Sequence, residues 1–147
     1  MTSDQLTAPA AIKPVEILVV DDSPEDIRLI RDAFSLWKGN RRVQVFLNGV
    51  EVLNHFKNCS EESSPDLILL DIQLPDISGE EAARRLKADA QTRAIPIIAV
   101  TAFAMPGDRE KILESGCDDY ISKPFSIREF LELVGRYTGE TTVEAVP

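Results

Sequence analysis

Pro65-Asp66-Leu67-Ile68-Leu69-Leu70-Asp71-Ile72-Gln73-Leu74-Pro75-Asp76-Ile77-Ser78-Gly79 decides how this chain is read. Leu67 to Leu70 are apolar without interruption, which suits a strand buried on both faces of a parallel sheet. Asp71 ends the run, and a loop punctuated by Pro75 and Gly79 follows at once. Two readings of Asp71 are open on this stretch alone. It either starts a turn or caps a helix over Glu80–Lys87, a common use of Asp. Alternatively, it stands at the carboxyl end of a central strand, on the edge where open α/β sheets bind ligands.

The bulk properties narrow the class. A chain of 147 residues has the size of one domain with a full core. Its net charge of −9 argues against a phosphate-backbone binder, which needs a basic face. Apolar runs stay well short of a membrane span, and no basic segment followed by an apolar core opens the chain. Neither nucleic acid nor membrane is therefore expected as a partner. Cys59 and Cys117 lack metal-ligand spacing and read as free thiols of a reducing compartment, the cytoplasm.

Taken in order, residues 1–14 are polar and proline-bearing and read as a flexible tail. Val15–Val20 is a strand ending on Asp21-Asp22. Ser23-Pro24 opens a helix with Ser23 as N-cap and Asp26 reaching back toward the cap. Ile27, Ile30, Phe34 and Trp37 form its core stripe, and Gly39-Asn40 ends it. Arg42–Leu47 reads as a shorter strand near the sheet edge. A helix follows from Asn48-Gly49 to about Asn58, with Val52, Leu53 and Phe56 inward. Past the serine-rich loop Cys59–Pro65 and the Asp71 strand comes a helix over about Gly79–Asp89. Ile95–Val100 is a strand ending on Thr101-Ala102. Pro106-Gly107-Asp108 opens a short helix that Gly116 stops. Tyr120–Ser122 is a brief strand ending on Lys123-Pro124, and Ser126 caps a last helix. Residues 139–147 read as a second flexible tail, with fraying from Thr138. Strand alternates with helix five times, so residues 15–138 should form one α/β domain. The natural small solution is a flavodoxin-like three-layer fold: five helices around a five-stranded parallel sheet of order 2-1-3-4-5.

Such a sheet delivers Asp21, Asp22, Asp71, Thr101 and Lys123 to one edge. Clustered carboxylates repel unless a cation joins them, and carboxylate, carbonyl and water oxygens are what Mg²⁺ accepts. Lys123 adds a cation able to grip an anion, and Thr101 a hydroxyl able to donate to it. That set suits a phosphoryl group, with Asp71 as the candidate nucleophile.

With these residues in place, the sequence resembles the receiver domain of two-component response regulators over about Glu16 to Tyr137. The matching motifs are Val19-Val20-Asp21-Asp22, Asp71 through Gly79, Val100-Thr101-Ala102 and Tyr120-Ile121-Ser122-Lys123-Pro124. The later blocks are most similar to single-domain regulators of bacterial cell division and to receivers of hybrid kinases. The resemblance implies a CheY-like fold, Asp71 as phosphoacceptor and Mg²⁺ as cofactor. Asp22 would hold the metal directly, Asp21 mainly through water and Gln73 by its backbone carbonyl, with Asp71 the fourth metal residue. Lys123 would hold the phosphoryl oxygens, next to Pro124 in a cis peptide. Thr101 would move to the phosphoryl group and Tyr120 would turn inward behind it as the switch. Ala102 would leave the nucleophile open, while Gln73 and Phe103 stand where variation tunes hydrolysis. The donor would be a histidine kinase or histidine phosphotransfer protein, with an unknown protein downstream.

On this reading the chain is no enzyme beyond its own phosphorylation and dephosphorylation, and its output is protein contact or relay. No DNA-binding segment follows Tyr137, and Met1 with the two tails points to a complete protein over a segment of a hybrid histidine kinase. The main competitor is an aspartyl-phosphate hydrolase of the haloacid dehalogenase type, which needs a second acid two residues on. That position holds Gln73 after Asp71 and Ser23 after Asp21, so the competitor is disfavoured. The remaining candidates have plainer uses. His55 reads as a surface residue, Trp37 and Phe34 as core, and Arg84, Arg85 and Lys87 as a solvated helix face.

Overall fold

The computed structural model describes residues 14–37, 39–58, 64–102 and 106–139. Its elements alternate without exception: β1 (Val15–Val20), α1 (Pro24–Ser35), β2 (Arg41–Phe46), α2 (Gly49–Lys57), β3 (Leu67–Asp71), α3 (Gly79–Ala88), β4 (Ile97–Thr101), α4 (Asp108–Glu114), β5 (Asp119–Ser122) and α5 (Ile127–Thr138). The strands form one parallel sheet in the order β2-β1-β3-β4-β5, the expected 2-1-3-4-5 topology. Every pairing is parallel, so all five carboxyl ends share one edge.

Side chains alternate across the pleat, and each face has its own core. Ile17, Val19, Leu67, Leu69, Ile98 and Val100 face α1 and α5, where Phe34 stacks on Trp37 and meets Phe130 edge-on. Leu18, Val20, Ile68, Leu70, Ile97 and Ala99 face the other way, toward Val52 and Phe56 of α2, Ala82, Ala83 and Leu86 of α3, and Ile112 of α4. β3 and β4 are buried at every residue, which is why their sequences are apolar runs without alternation. β2, an edge strand, alternates between half-buried and exposed over its first residues.

Caps account for most helix starts. Ser23, Asn48, Ser78 and Ser126 each accept a hydrogen bond from the amide three residues on. Asp71 is thus not the cap of α3; Ser78 fills that place. Gly116, at φ 112°, turns the chain out of the α4 region toward β5.

Several expectations are corrected. The amide of Asp26 does bond the Ser23 hydroxyl, but its carboxylate turns away from the cap, to Lys123. α1 stops at Ser35, capped by Leu36, so Trp37 is core but lies past the helix, and Gly39-Asn40 plays no part in ending it. β4 begins two residues later than the apolar run, after Pro96, which has no amide to give a ladder. β2 starts one residue early, at Arg41, and Thr138 still belongs to α5, its hydroxyl bonded to the Val134 carbonyl. His55 is half-buried between the rings of Phe46 and Phe56.

Lys87 is not a solvated residue. Its Nζ donates to the carbonyls of Arg93 (3.1 Å) and Ile95 (2.8 Å) and to Asp118 Oδ2 (2.9 Å). Arg84 and Arg85 do lie on the solvent side, both paired with Glu81. Cys117 is a free, buried thiol that burial pushes up to about 11. Residues 1–13, Cys59 and residues 140–147 lie outside the described residues, as do the tail readings that rest on them. No helix among the described residues is long and apolar enough to cross a membrane.

Candidate functional site

The carboxyl edge gathers the predicted set. β1 runs into Asp21 and Asp22, β3 ends on Asp71, β4 on Thr101, and β5 leads into Lys123. Each is placed by strand length and register, because Val20 pairs with Leu70, Asp71 with Val100, and Thr101 with Ser122. Asp21, Asp22 and Asp71 each bring a carboxylate oxygen within 4.8 Å of the others, a spacing and donor set open to a metal ion. Asp21 and Asp71 are buried, whereas Asp22 is exposed.

Each buried acid is held by a neighbouring amide. Asp21 Oδ1 accepts from Ser23 N–H at 2.9 Å, and Asp71 Oδ1 from Gln73 N–H at 3.0 Å. Lys123 Nζ lies 3.1 Å from Asp21 Oδ2 and 3.4 Å from Asp71 Oδ2, and only 2.6 Å from Asp26 Oδ2. Burial pushes the Asp71 carboxyl up; the Gln73 amide and Lys123 pull it down, Asp21 adds repulsion, and the balance stands at about 6. Burial works against the Lys123 ammonium too. The Asp26 hydrogen bond and the Asp21 and Asp71 charges outweigh it and hold Lys123 above its ordinary range.

The other predicted residues take distinct places. Thr101 is fully buried, and its carbonyl accepts from Lys123 N–H at 2.7 Å. Gln73 is exposed and meets Asp71 through its amide; Ala102 is exposed at the end of β4. The Lys123-Pro124 peptide is cis. Tyr120 is half-buried against the core on the α3 and α4 side, with the Arg109 guanidinium 5.9 Å from its ring centre. Phe103 lies outside the described residues.

Three features that shape this edge were not singled out from the residues. Its local pattern gives Asp26 only a capping role. Asp76 accepts from Gly49 N–H (3.0 Å) and Val50 N–H (2.8 Å), so the loop after Asp71 caps the start of α2. Burial opposes ionisation of Asp76, but these amides outweigh it and hold the carboxyl below its ordinary range. Gly79 sits where a Cβ would collide with the Asp71 carbonyl oxygen and lie 2.6 Å from Ile72 Cα. A glycine after a proline-bearing loop was the available signal for that close approach. The partners of Asp26 and Asp76 lie 97 and 26 residues away and left no local trace.

Comparison with known proteins bears on this edge. The response regulator receiver domain family matches residues 17–135. The polar-differentiation response regulator DivK of Brucella anthropi is 43% identical over 127 residues, covering 86% of this chain and 98% of that protein. DivK of Brucella abortus strain 2308 is 43% identical over 124 residues, covering 84% and 96%. Among solved structures, the receiver domain of a sensor histidine kinase from Pseudomonas aeruginosa PAO1 superposes with a TM-score of 0.74 at 35% identity. It covers 86% of this chain and 99% of its own, and holds a magnesium ion in its active-site cleft. The receiver domain of a signal transduction histidine kinase from Syntrophus aciditrophicus gives 0.73 at 29% identity, covering 90% and 96%. With that fold, that acid cluster and a match across most of its length, the chain belongs to the response regulator receiver domain family.

Proposed function

We propose that Asp71 accepts a phosphoryl group from a phosphohistidine donor, a histidine kinase or a histidine phosphotransfer protein, and that the charged chain then acts through protein contact or relay. The observation that carries this is the buried Asp71 carboxylate, set beside two further acids and within reach of a lysine at the sheet's carboxyl edge. The carboxylate oxygen facing Lys123 attacks phosphorus. A P–O bond to Asp71 forms, the P–N bond to the donor imidazole breaks, and the electron pair leaves on the imidazole nitrogen. Hydrolysis of the acyl phosphate returns Asp71 and releases phosphate, so the chain catalyses only its own charging and discharging.

The acid cluster suits Mg²⁺, which Asp22, Asp71 and the Gln73 carbonyl would hold, with Asp21 acting through water. When bound, the ion offsets charge on the phosphoryl oxygens. Lys123 binds a phosphoryl oxygen, Thr101 donates its hydroxyl to another, and Tyr120 closes in behind Thr101, which transmits the change toward α4 and α5. Exposed Ala102 leaves the approach to Asp71 open. Gln73, also exposed, and Phe103 tune the lifetime of the acyl phosphate. A buried free Cys117 fits a cytoplasmic location. The hydrolase reading lacks its second acid: Gln73 occupies that place and serves Asp71 through its amide.

Intact mass after incubation with acetyl phosphate tests the proposal. The expected result is a gain of one phosphoryl group that needs both Mg²⁺ and Asp71 and is lost in Asp71→Asn. A gain that survives in Asp71→Asn, or rapid steady release of phosphate, overturns it.

A further inference from the structure

We infer that Asp26 is a positioning residue that holds Lys123 back from the phosphoryl site, so that charging of Asp71 requires this ion pair to give way. The inference rests on Asp71 as the phosphoacceptor.

An ammonium has three protons, and Lys123 points them at three carboxylates, Asp26, Asp21 and Asp71. The three bonds are unequal. At 2.6 Å the bond to Asp26 is the shortest, and at 3.4 Å the bond to Asp71 exceeds the usual length of a charge-assisted hydrogen bond. A phosphoryl group on Asp71 brings further anionic oxygens toward the same ammonium, and they compete with the carboxylates that already accept from it.

Asp21 is poorly placed to yield. It is buried, and its other oxygen is fixed by the Ser23 amide. Asp26 sits on the first turn of α1 with its side chain 32% exposed, and its backbone is anchored independently through its amide to the Ser23 hydroxyl. It can turn to solvent without disturbing the helix start. It is therefore the partner that yields. While it holds on, it competes with the phosphoryl group for the Lys123 ammonium.

The test uses beryllofluoride as the phosphoryl analogue, titrated by calorimetry into the full chain at saturating Mg²⁺, with melting curves as a folding control. Asp26→Asn keeps the shape and removes the charge; Asp26→Glu keeps the charge. The expected result is a beryllofluoride affinity on the order of tenfold higher in Asp26→Asn, the fold-change that a hydrogen bond between charged groups supplies. Charging by acetyl phosphate should be faster, and both readouts should return toward wild type in Asp26→Glu. An affinity unchanged or weaker in Asp26→Asn, with wild type binding normally, overturns the inference alone. Equal changes in the Asn and Glu variants overturn it as well, because packing and not charge would then be responsible. A wild type that neither binds beryllofluoride nor gains mass overturns the phosphoacceptor reading and this inference with it.

Discussion

Asp71→Asn should make the metal-free protein more stable at neutral pH. Folding buries this carboxyl and raises it from 3.8 to about 6. Such a rise sets roughly 3 kcal/mol against the ionised form in the folded state. Asparagine has the shape of the neutral acid and its carbonyl can still accept from the Gln73 amide, so the buried charge is removed without a cavity. Lys123 loses its longest bond but keeps Asp26 at 2.6 Å and Asp21 at 3.1 Å. The net gain should be about 2 kcal/mol at pH 7.5, or roughly 6 °C in melting temperature for a domain of this size.

The sign follows from proton linkage. Between pH 4 and 6 the folded wild type binds a proton that the unfolded chain does not, so its stability rises as pH falls through that window. The variant has no such group. Its advantage should therefore be full above about pH 7 and vanish near pH 4. Urea or thermal unfolding in EDTA across pH 4 to 8 measures it. The reasoning fails if the variant gains nothing at pH 7.5, or gains as much at pH 4.5 as at pH 7.5. Saturating Mg²⁺ should narrow the difference, because a ligand of the folded wild type stabilises it.

Two further outcomes concern the scaffold. Gly79→Ala places a methyl group against the backbone of Asp71 and Ile72, where neither neighbour can swing aside, and should cost about 2–3 kcal/mol in chemical unfolding. Lys87→Met should cost about 1–2 kcal/mol by the same measure, since it strips an ammonium from two carbonyls and Asp118 where α3 approaches the starts of β4 and β5.

The parts legible in the sequence were those written in local pattern. Apolar runs ending in Asp21-Asp22, Asp71, Thr101 and Lys123 recur at strand–helix spacing, and a parallel sheet has one carboxyl edge, so their convergence follows from alternation alone. Capping by Ser23 and Ser126 is likewise a local signal, carried by a hydroxyl and an amide three residues apart.

Partner choice was decided elsewhere. Asp26 fits a cap as well as a sheet edge, and only the arrival of Lys123 from β5 gives its carboxylate a cation at 2.6 Å. Lys87 stands among charged neighbours on an exposed-looking helix, yet the chain around Arg93, Ile95 and Asp118 closes over it. Asp76 looks like a loop residue until the start of α2 offers it two amides. Periodicity, capping and strand length depend on residues a few positions apart, so the sequence by itself determined the sheet, its edge and the acids, lysine and threonine delivered there. Which carboxylate takes the lysine depends on distances of a few ångströms between segments far apart in the chain, and on which oxygens burial and amides have already claimed. Only the packed tertiary structure decides that.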